Sequence, residues 1–281
     1  MTIKQLERKA NAIRKDLVRM LVHAGSGHSA GPLGMADVFT ALYFSVLHHS
    51  PHKPNDPNRD RLFLSNGHIC PIWYITLAHA GYCSRHEAIT TLRLLGTRLQ
   101  GHPHRKSLAP IENASGPLGQ GFSQAVGYAY AARMDERRFH TYCICGDGEL
   151  DEGQVWEAAM FAGRERLANM TLIIDRNNIQ IDGYTEDIMP LEPLRERFES
   201  FGWKVIEIDA HNIEAIIDAC DMSRAIYEKP TCIIAHSIPG KGVDFMEFKP
   251  EWHGKPPNAR EARTALHELR TLGGKIQGEH E

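Results

Sequence analysis

The chain has 281 residues, 42% hydrophobic and 24% charged, with a formal net charge of −3. These are the proportions of an ordinary globular protein, long enough for one large α/β domain or two small ones, and the charge balance excludes a general attraction for nucleic acid. No apolar run approaches the roughly 20 residues that a membrane span needs, and the charged opening MTIKQLERKANAIRKD lacks the apolar core of a secretory leader.

The first predicted element is a helix over Ile3 to Ala24, with Ile13, Leu17, Met20 and Leu21 in helical spacing. The segment GSGHSAGPLG breaks it, and a second helix is expected from Met35 to Leu47. A polar, proline-rich loop follows (HHSPHKPNDPNRD), then a short strand at Arg61 to Ser65 and helices at Ile69 to Ala80 and Arg85 to Leu92. The stretch from Gly96 to Gly121 is rich in glycine and histidine. A loop of that length inside a compact domain is uncommon unless it has a function. Beyond it come helix Phe122 to Met134, strand His140 to Cys145, helix Gln154 to Arg166, strand Met170 to Asp175, a short helix near Leu194 to Phe201, strand Lys204 to Ile208, helix Ile213 to Ala225 and strand Thr231 to Ala235. This alternation predicts an α/β fold, a parallel sheet sandwiched by helices. After Pro250 the chain reads as polar and irregular, then helical from Asn258 to Leu272.

Six cysteines are scattered, and only Cys143 and Cys145 are close, two apart on one strand face. Zinc wants four ligands at suitable spacing, so these read as buried thiols and the compartment as a reducing cytoplasm. Of the 16 histidines, His48, His49 and His52 in HHSPH look metal-like but sit in a polar loop. His28, His68 and His102 each follow a glycine in a loop and are the stronger functional candidates, while His104, His211 and His236 stay unassigned.

The stretch CICGDGELDEG places Asp147, Glu149, Asp151 and Glu152 directly after a strand. Strands joined by a helix in a parallel sheet end on the same edge, where open α/β sheets bind ligands. Asp147 and Asn177, 30 residues apart and each following a strand, therefore come together. A carboxylate, an amide oxygen and a nearby backbone carbonyl form a hard oxygen set suited to Mg²⁺ or Ca²⁺. Gly146 and Gly148 let a bulky anion approach the backbone, and the following helix N-terminus favours one. GDG alone reads more readily as a glycine turn with acidic helix-capping residues.

GDG followed about 30 residues later by NN resembles the thiamine diphosphate motif. With SGHSAGPLG, SNGH, GHP, SGPLGQG, IDRNNIQIDG and WHGK in order from Ser26 to Lys255, the chain resembles the N-terminal, diphosphate-binding part of transketolases. The resemblance implies a thiamine diphosphate-binding domain over residues 1–250 and a tail, 251–281, that forms an interface. It implies Asp147, Asn177 and the Ile179 carbonyl as ligands of Mg²⁺, with Ca²⁺ or Mn²⁺ as alternatives. His68, Gly148 and His253 would contact the diphosphate, and Gly116, Leu118 and Ile181 would lie beside the cofactor rings. His28 and His102 would reach substrate hydroxyls and move protons. Glu152, counted with His28 and His102 among the catalytic residues, would face a subunit interface and link paired active sites. Glu149 and Asp151 match no fixed family acid and read as solvated or capping residues, although Glu149 adjoins Gly148 and also counts as a cofactor-binding candidate. Whether Lys241 in PGKG and Lys255 in WHGK meet phosphate stays open.

A complete transketolase is more than twice this length. The resemblance therefore implies a companion chain carrying the pyrimidine-binding half, and an assembly with two copies of each. The implied reaction moves a two-carbon ketol unit from a ketose, or ketose phosphate, to an aldose, or aldose phosphate. An α chain of a 2-oxoacid dehydrogenase, or a deoxyxylulose-phosphate synthase-like chain, is the alternative. The sugar itself is not specified: pentose phosphates, a branched sugar phosphate and a sulfonated sugar are all compatible.

Overall fold

Residues 1–279 are described by the computed structural model, with side chains through residue 276; the last two residues of the expected tail lie outside the described residues. The first helix, α1 (Ile3–Ala24), has the predicted bounds. Thr2 and Gln5 close a reciprocal capping box at its start, and Gly25 ends it in the left-handed region at φ 57°. Its buried stripe, Leu6, Ala10, Ile13, Leu17 and Leu21, keeps helical spacing. The expected single helix from Met35 instead begins earlier and is broken into α2 (Ala30–Gly34), α3 (Ala36–Ala41) and a π turn at Leu42–Val46. Pro32 is compatible with that earlier start because it lies in the first turn, where its missing N–H costs no helical bond.

Strand β1 (Arg61–Leu64) leads to α4 (Cys70–His79) and α5 (Arg85–Thr91). After the long loop come α6 (Gln120–Met134), β2 (Thr141–Gly146), α7 (Gly153–Arg164) and β3 (Met170–Arg176). The segment between Asp175 and Leu194, for which no element is expected, holds a small antiparallel hairpin, β4 (Ile179–Gln180) with β5 (Gly183–Tyr184), and one turn of helix, α8 (Thr185–Ile188). The remaining elements are α9 (Leu194–Ser200), β6 (Lys204–Asp209), α10 (Ile213–Ala225), β7 (Thr231–His236) and α11 (Ala259–Glu279).

Five strands form one parallel sheet in the order β1-β2-β3-β7-β6. Strand residues alternate between two apolar layers, as the pleat requires. Leu62, Leu64, Tyr142, Ile144, Ile173 and Ile233 join the layer built with α1, α3, α4 and α10. Phe63, Cys143, Cys145, Leu172, Ile174 and Ile234 join the layer built with α6, α7 and α9. Cys143 and Cys145 thus share a face, and burial pushes both thiols above their ordinary range. The tail is less irregular than its composition suggests. Trp252 is buried in a short 3-10 turn, Ala262, Ala265 and Leu269 join the core, and Asn11 Nδ2 on α1 donates to the Leu269 carbonyl at 3.0 Å.

Candidate active site

Register decides where the site lies. Gly146, the last residue of β2, pairs with Asp175 of β3, so both loops leave the same edge of the sheet. The Asp147 N–H donates to the Asp175 carbonyl at 3.1 Å and locks the GDG turn against the second loop. Asp147 Oδ1 accepts from Gly148 N at 2.8 Å, and Oδ2 accepts from Asn178 N at 2.6 Å and from Arg176 Nη1 at 3.2 Å. Asn177 is held by its own loop: Nδ2 donates to Asp175 Oδ2 at 2.9 Å, and Oδ1 accepts from Ile179 N at 3.0 Å. Burial outweighs the Arg176 cation and the donated hydrogen bonds, so the Asp147 carboxyl is pushed up to about 6. A buried anion short of positive charge suits a cation.

Beside this edge is a cavity of about 340 Å³ lined by His28, Asn66, His68, His102, Gly116, Leu118, Gly146, Asp147, Gly148, Glu149, Asn177, Ile179, Gln180, Ile181 and His253. The predicted metal-binding and cofactor-binding residues meet here from separate loops, as do His28 and His102. Three imidazoles pack as a cluster, with ring centroids 4.9 Å apart for His28 and His68, 5.0 Å for His68 and His253, and 5.5 Å for His28 and His253. Burial first, then the charges of His253, Arg93 and His102, lowers His28 to about 4. His68, His102 and His253 are lowered as well, each by burial first. The imidazoles are therefore neutral at pH 7 and able both to donate and to accept. Gly148 permits a close approach on the facing side, because a Cβ there would stand 3.0 Å from the Cβ of Gln180.

One of the predicted acids differs from expectation. Glu149 is not solvated: it is 2% exposed and accepts from Ser65 Oγ at 2.5 Å, Gly119 N at 2.6 Å and Gly146 N at 3.1 Å. The 3-10 turn after β2 swings its side chain inward, where it ties three loops together at the cavity wall. Asp151 stays exposed, as expected. Glu152 lies outside the cavity, exposed at the start of α7. Lys241 lines a different surface groove with Asp244, Glu247 and Glu268. Lys255 lies 4.0 Å over the Trp252 ring and 3.6 Å from Glu261. Sequence reasoning missed Asn66, although it lies inside the quoted SNGH, and Gln180, which sits in the unrecognised hairpin. It also missed Arg176, whose guanidinium joins Asp147 to Glu186 at 2.7 Å and Glu192 at 2.9 Å.

The cavity fits a polar guest. His28 Nδ1 and His253 Nδ1 are buried atoms that find no hydrogen-bond partner among the described residues, and such atoms are costly unless something meets them. Among the described residues no three His, Cys, Asp or Glu side chains gather to hold a metal. Asp147, Asn177 and Ile179 line the same cavity, and a carboxylate, an amide and a backbone carbonyl are oxygen groups of the kind hard cations take.

A parallel sheet with a polar cavity and a cluster of neutral imidazoles at its C-terminal edge defines an α/β domain of the ligand-binding kind. Residues 5–272 match the family described as "Transketolase, thiamine diphosphate binding domain", and the chain belongs to the transketolase family. It is 43% identical over 268 residues to the 6-deoxy-6-sulfo-D-fructose transketolase subunit SqwG of Clostridium sp. (strain MSTE9), covering 95% of this chain and 97% of that one. It is 39% identical over 280 residues to an apulose-4-phosphate transketolase subunit of Phocaeicola vulgatus, covering 100% and 99%. The crystal structure of transketolase from Campylobacter jejuni superimposes with a TM-score of 0.86 at 33% identity, over 99% of this chain and 48% of that one.

Proposed function

We propose that this chain is the diphosphate-binding subunit of a two-chain transketolase, moving a two-carbon ketol unit from a ketose or ketose phosphate to an aldose or aldose phosphate. The observation that carries the reading is the meeting of Asp147, Asn177 and Ile179 with the histidine cluster in one cavity. It is supported by two relatives that are themselves named transketolase subunits and are matched over nearly their whole length.

In this reading Asp147, the Asn177 amide oxygen and the Ile179 carbonyl hold Mg²⁺, with Ca²⁺ or Mn²⁺ as substitutes. His68, Gly148 and His253 face the diphosphate, with Glu149 shaping the wall behind them. Gly116, Leu118 and Ile181 bound the space for the rings, and Ile181 is 71% exposed, so a second surface must cover it to exclude water. Thiamine diphosphate, when bound, supplies the electron sink that lets a carbon–carbon bond beside a carbonyl break. His28 and His102, held neutral, donate hydrogen bonds to substrate oxygens as charge develops and take or return the hydroxyl proton. Glu152 and the solvent face of the tail contribute to contacts with companion subunits in an assembly with two copies of each chain. Such an interface buries above about 2,000 Å². The compartment in this reading is the cytoplasm, in keeping with six free cysteines. Among the described residues no helix is long and apolar enough to cross a membrane.

The test mixes this chain with a companion chain homologous to the remaining part of transketolase, in the presence of thiamine diphosphate and Mg²⁺. Ketol transfer is then followed with a pentulose phosphate, apulose 4-phosphate and 6-deoxy-6-sulfofructose as donors. Transfer is expected from the mixture and not from this chain alone. Full activity of the lone chain would overturn the two-chain reading, and an inactive mixture that binds cofactor would overturn the transketolase assignment.

A further inference from the structure

The two histidines assigned to the substrate sit on different loops. His28 follows Ser26 and Gly27 after α1, and His102 follows Gly101 in the long loop after α5. One side chain reaches both turns. Arg93, just past the end of α5, donates from Nη1 to Ser26 Oγ at 2.7 Å. The same guanidinium lies against Gly101: a Cβ added there would stand 2.9 Å from Arg93 Nε and 3.2 Å from Cζ. The Arg93 backbone N–H donates to the Leu99 carbonyl at 2.8 Å, closing the start of the His102 loop on the same residue. Arg93 takes a left-handed φ of 61°, uncommon for a residue with a Cβ and retained where the surroundings demand it. Its Nε is buried and finds no partner among the described residues.

We propose that Arg93 is the positioning residue for both substrate-facing histidines, a strut whose guanidinium fixes the Ser26 turn before His28 against the Gly101 turn before His102. This inference rests on the assignment of those histidines under the proposed function. Two consequences follow from a planar cation in that place. The fork can bridge two loops at fixed spacing, which the point charge of a lysine cannot reproduce. The charge also opposes protonation of both rings. Arg93 lowers His28 after burial and His253, and it lowers His102 after burial. The other titratable groups facing His28 are His68, His253 and His102, all imidazoles.

The experiment compares Arg93→Lys, Arg93→Met and Gly101→Ala by NMR titration of the histidine ring protons in the full chain, and by kcat/KM and thiamine diphosphate affinity in the reconstituted complex. Gly101→Ala leaves the arginine in place but displaces its guanidinium, so it tests the strut even if Arg93→Met folds poorly. Expected are upward shifts of the His28 and His102 midpoints in Arg93→Met, with the acid limb of kcat/KM moving to higher pH. Arg93→Lys should keep the midpoints and lose kcat/KM by about 100-fold, the cost of misplacing a reacting group by an ångström. Gly101→Ala should lose a similar amount. Cofactor affinity should stay within about two-fold throughout. Unmoved midpoints in Arg93→Met together with full activity in Gly101→Ala would overturn the strut. Shifted midpoints with unchanged kcat/KM would support the strut and refute the assignment of His28 and His102 to the substrate.

Discussion

Arg14, Asp37 and His211 form a buried polar cluster under the N-terminal helices, and the cavity histidines form another at the sheet edge; the two are built from similar side chains and end differently. In the first, Arg14 is bidentate to Asp37 at 3.0 and 2.5 Å and donates from Nε to the Leu33 carbonyl at 3.1 Å. His211 Nδ1 meets Asp37 Oδ2 at 2.9 Å, and Nε2 accepts from Ile238 N at 2.8 Å. Both nitrogens of that imidazole are occupied. In the second, Nδ1 of His28 and Nδ1 of His253 are buried with nothing among the described residues to meet them. His211 is thus fully met by its surroundings, whereas His28 and His253 are each left one nitrogen short. His49, from the metal-like HHSPH, belongs to the first kind: Nδ1 is 2.8 Å from Tyr82 OH and Nε2 is 2.7 Å from the Tyr43 carbonyl.

Damage to the two clusters should accordingly be read by different instruments. Arg14→Leu leaves Asp37 buried without its guanidinium, and the expected loss of folding stability is about 3–5 kcal/mol, measured by urea denaturation. A loss below about 1 kcal/mol would show that the closed cluster is not structural. Asp147→Asn should behave in the opposite way. It removes a carboxyl already held above its usual range, so the unliganded fold should keep or gain stability. Mg²⁺-dependent thiamine diphosphate affinity in the reconstituted complex should instead fall by more than about 100-fold. Calorimetry returning the wild-type affinity would erase the contrast.

The smallest effect separates the clusters by pH. Burial alone would raise Asp37, but Arg14 and His211 outweigh it and bring the carboxyl to about 2. A folded acid held below its unfolded value contributes stability above about pH 4, and that stability is lost as pH falls toward about 2. His28 is a base lowered from 6.5 to about 4, so the unfolded chain binds more protons between those values and stability falls as pH drops through that window. Asp37→Asn should flatten the acid limb of the stability curve between about pH 4 and 2, and His28→Gln should flatten it between 6.5 and about 4. Identical profiles for the two variants would mean that the clusters do not differ in their protonation.

Much of the architecture is legible because it is local. The bounds of α1 and α10 follow from caps and apolar spacing, and the alternation of strand and helix implies a parallel sheet. That sheet places Asp147 and Asn177 together without further information, since parallel strands joined by a helix end on one edge. What stays hidden depends on side-chain direction across long sequence separations. Glu149 reads as one more acid in a solvated run, yet a single 3-10 turn aims it at Ser65 and Gly119. The hairpin carrying Gln180 is too short for periodicity to show. Nothing in LRLLGTR marks Arg93 as the residue that reaches both Ser26 and Gly101.

From sequence alone came the parallel sheet flanked by helices and the sheet edge that gathers Asp147 and Asn177, because hydrophobic period and strand polarity are properties of neighbouring residues. Tertiary structure alone decided which polar atoms close on partners and which remain open. Hydrogen-bond saturation is settled by groups that fold in from distant parts of the chain, and only their arrival distinguishes His211, met at both nitrogens, from His28, whose Nδ1 is buried and unmet among the described residues.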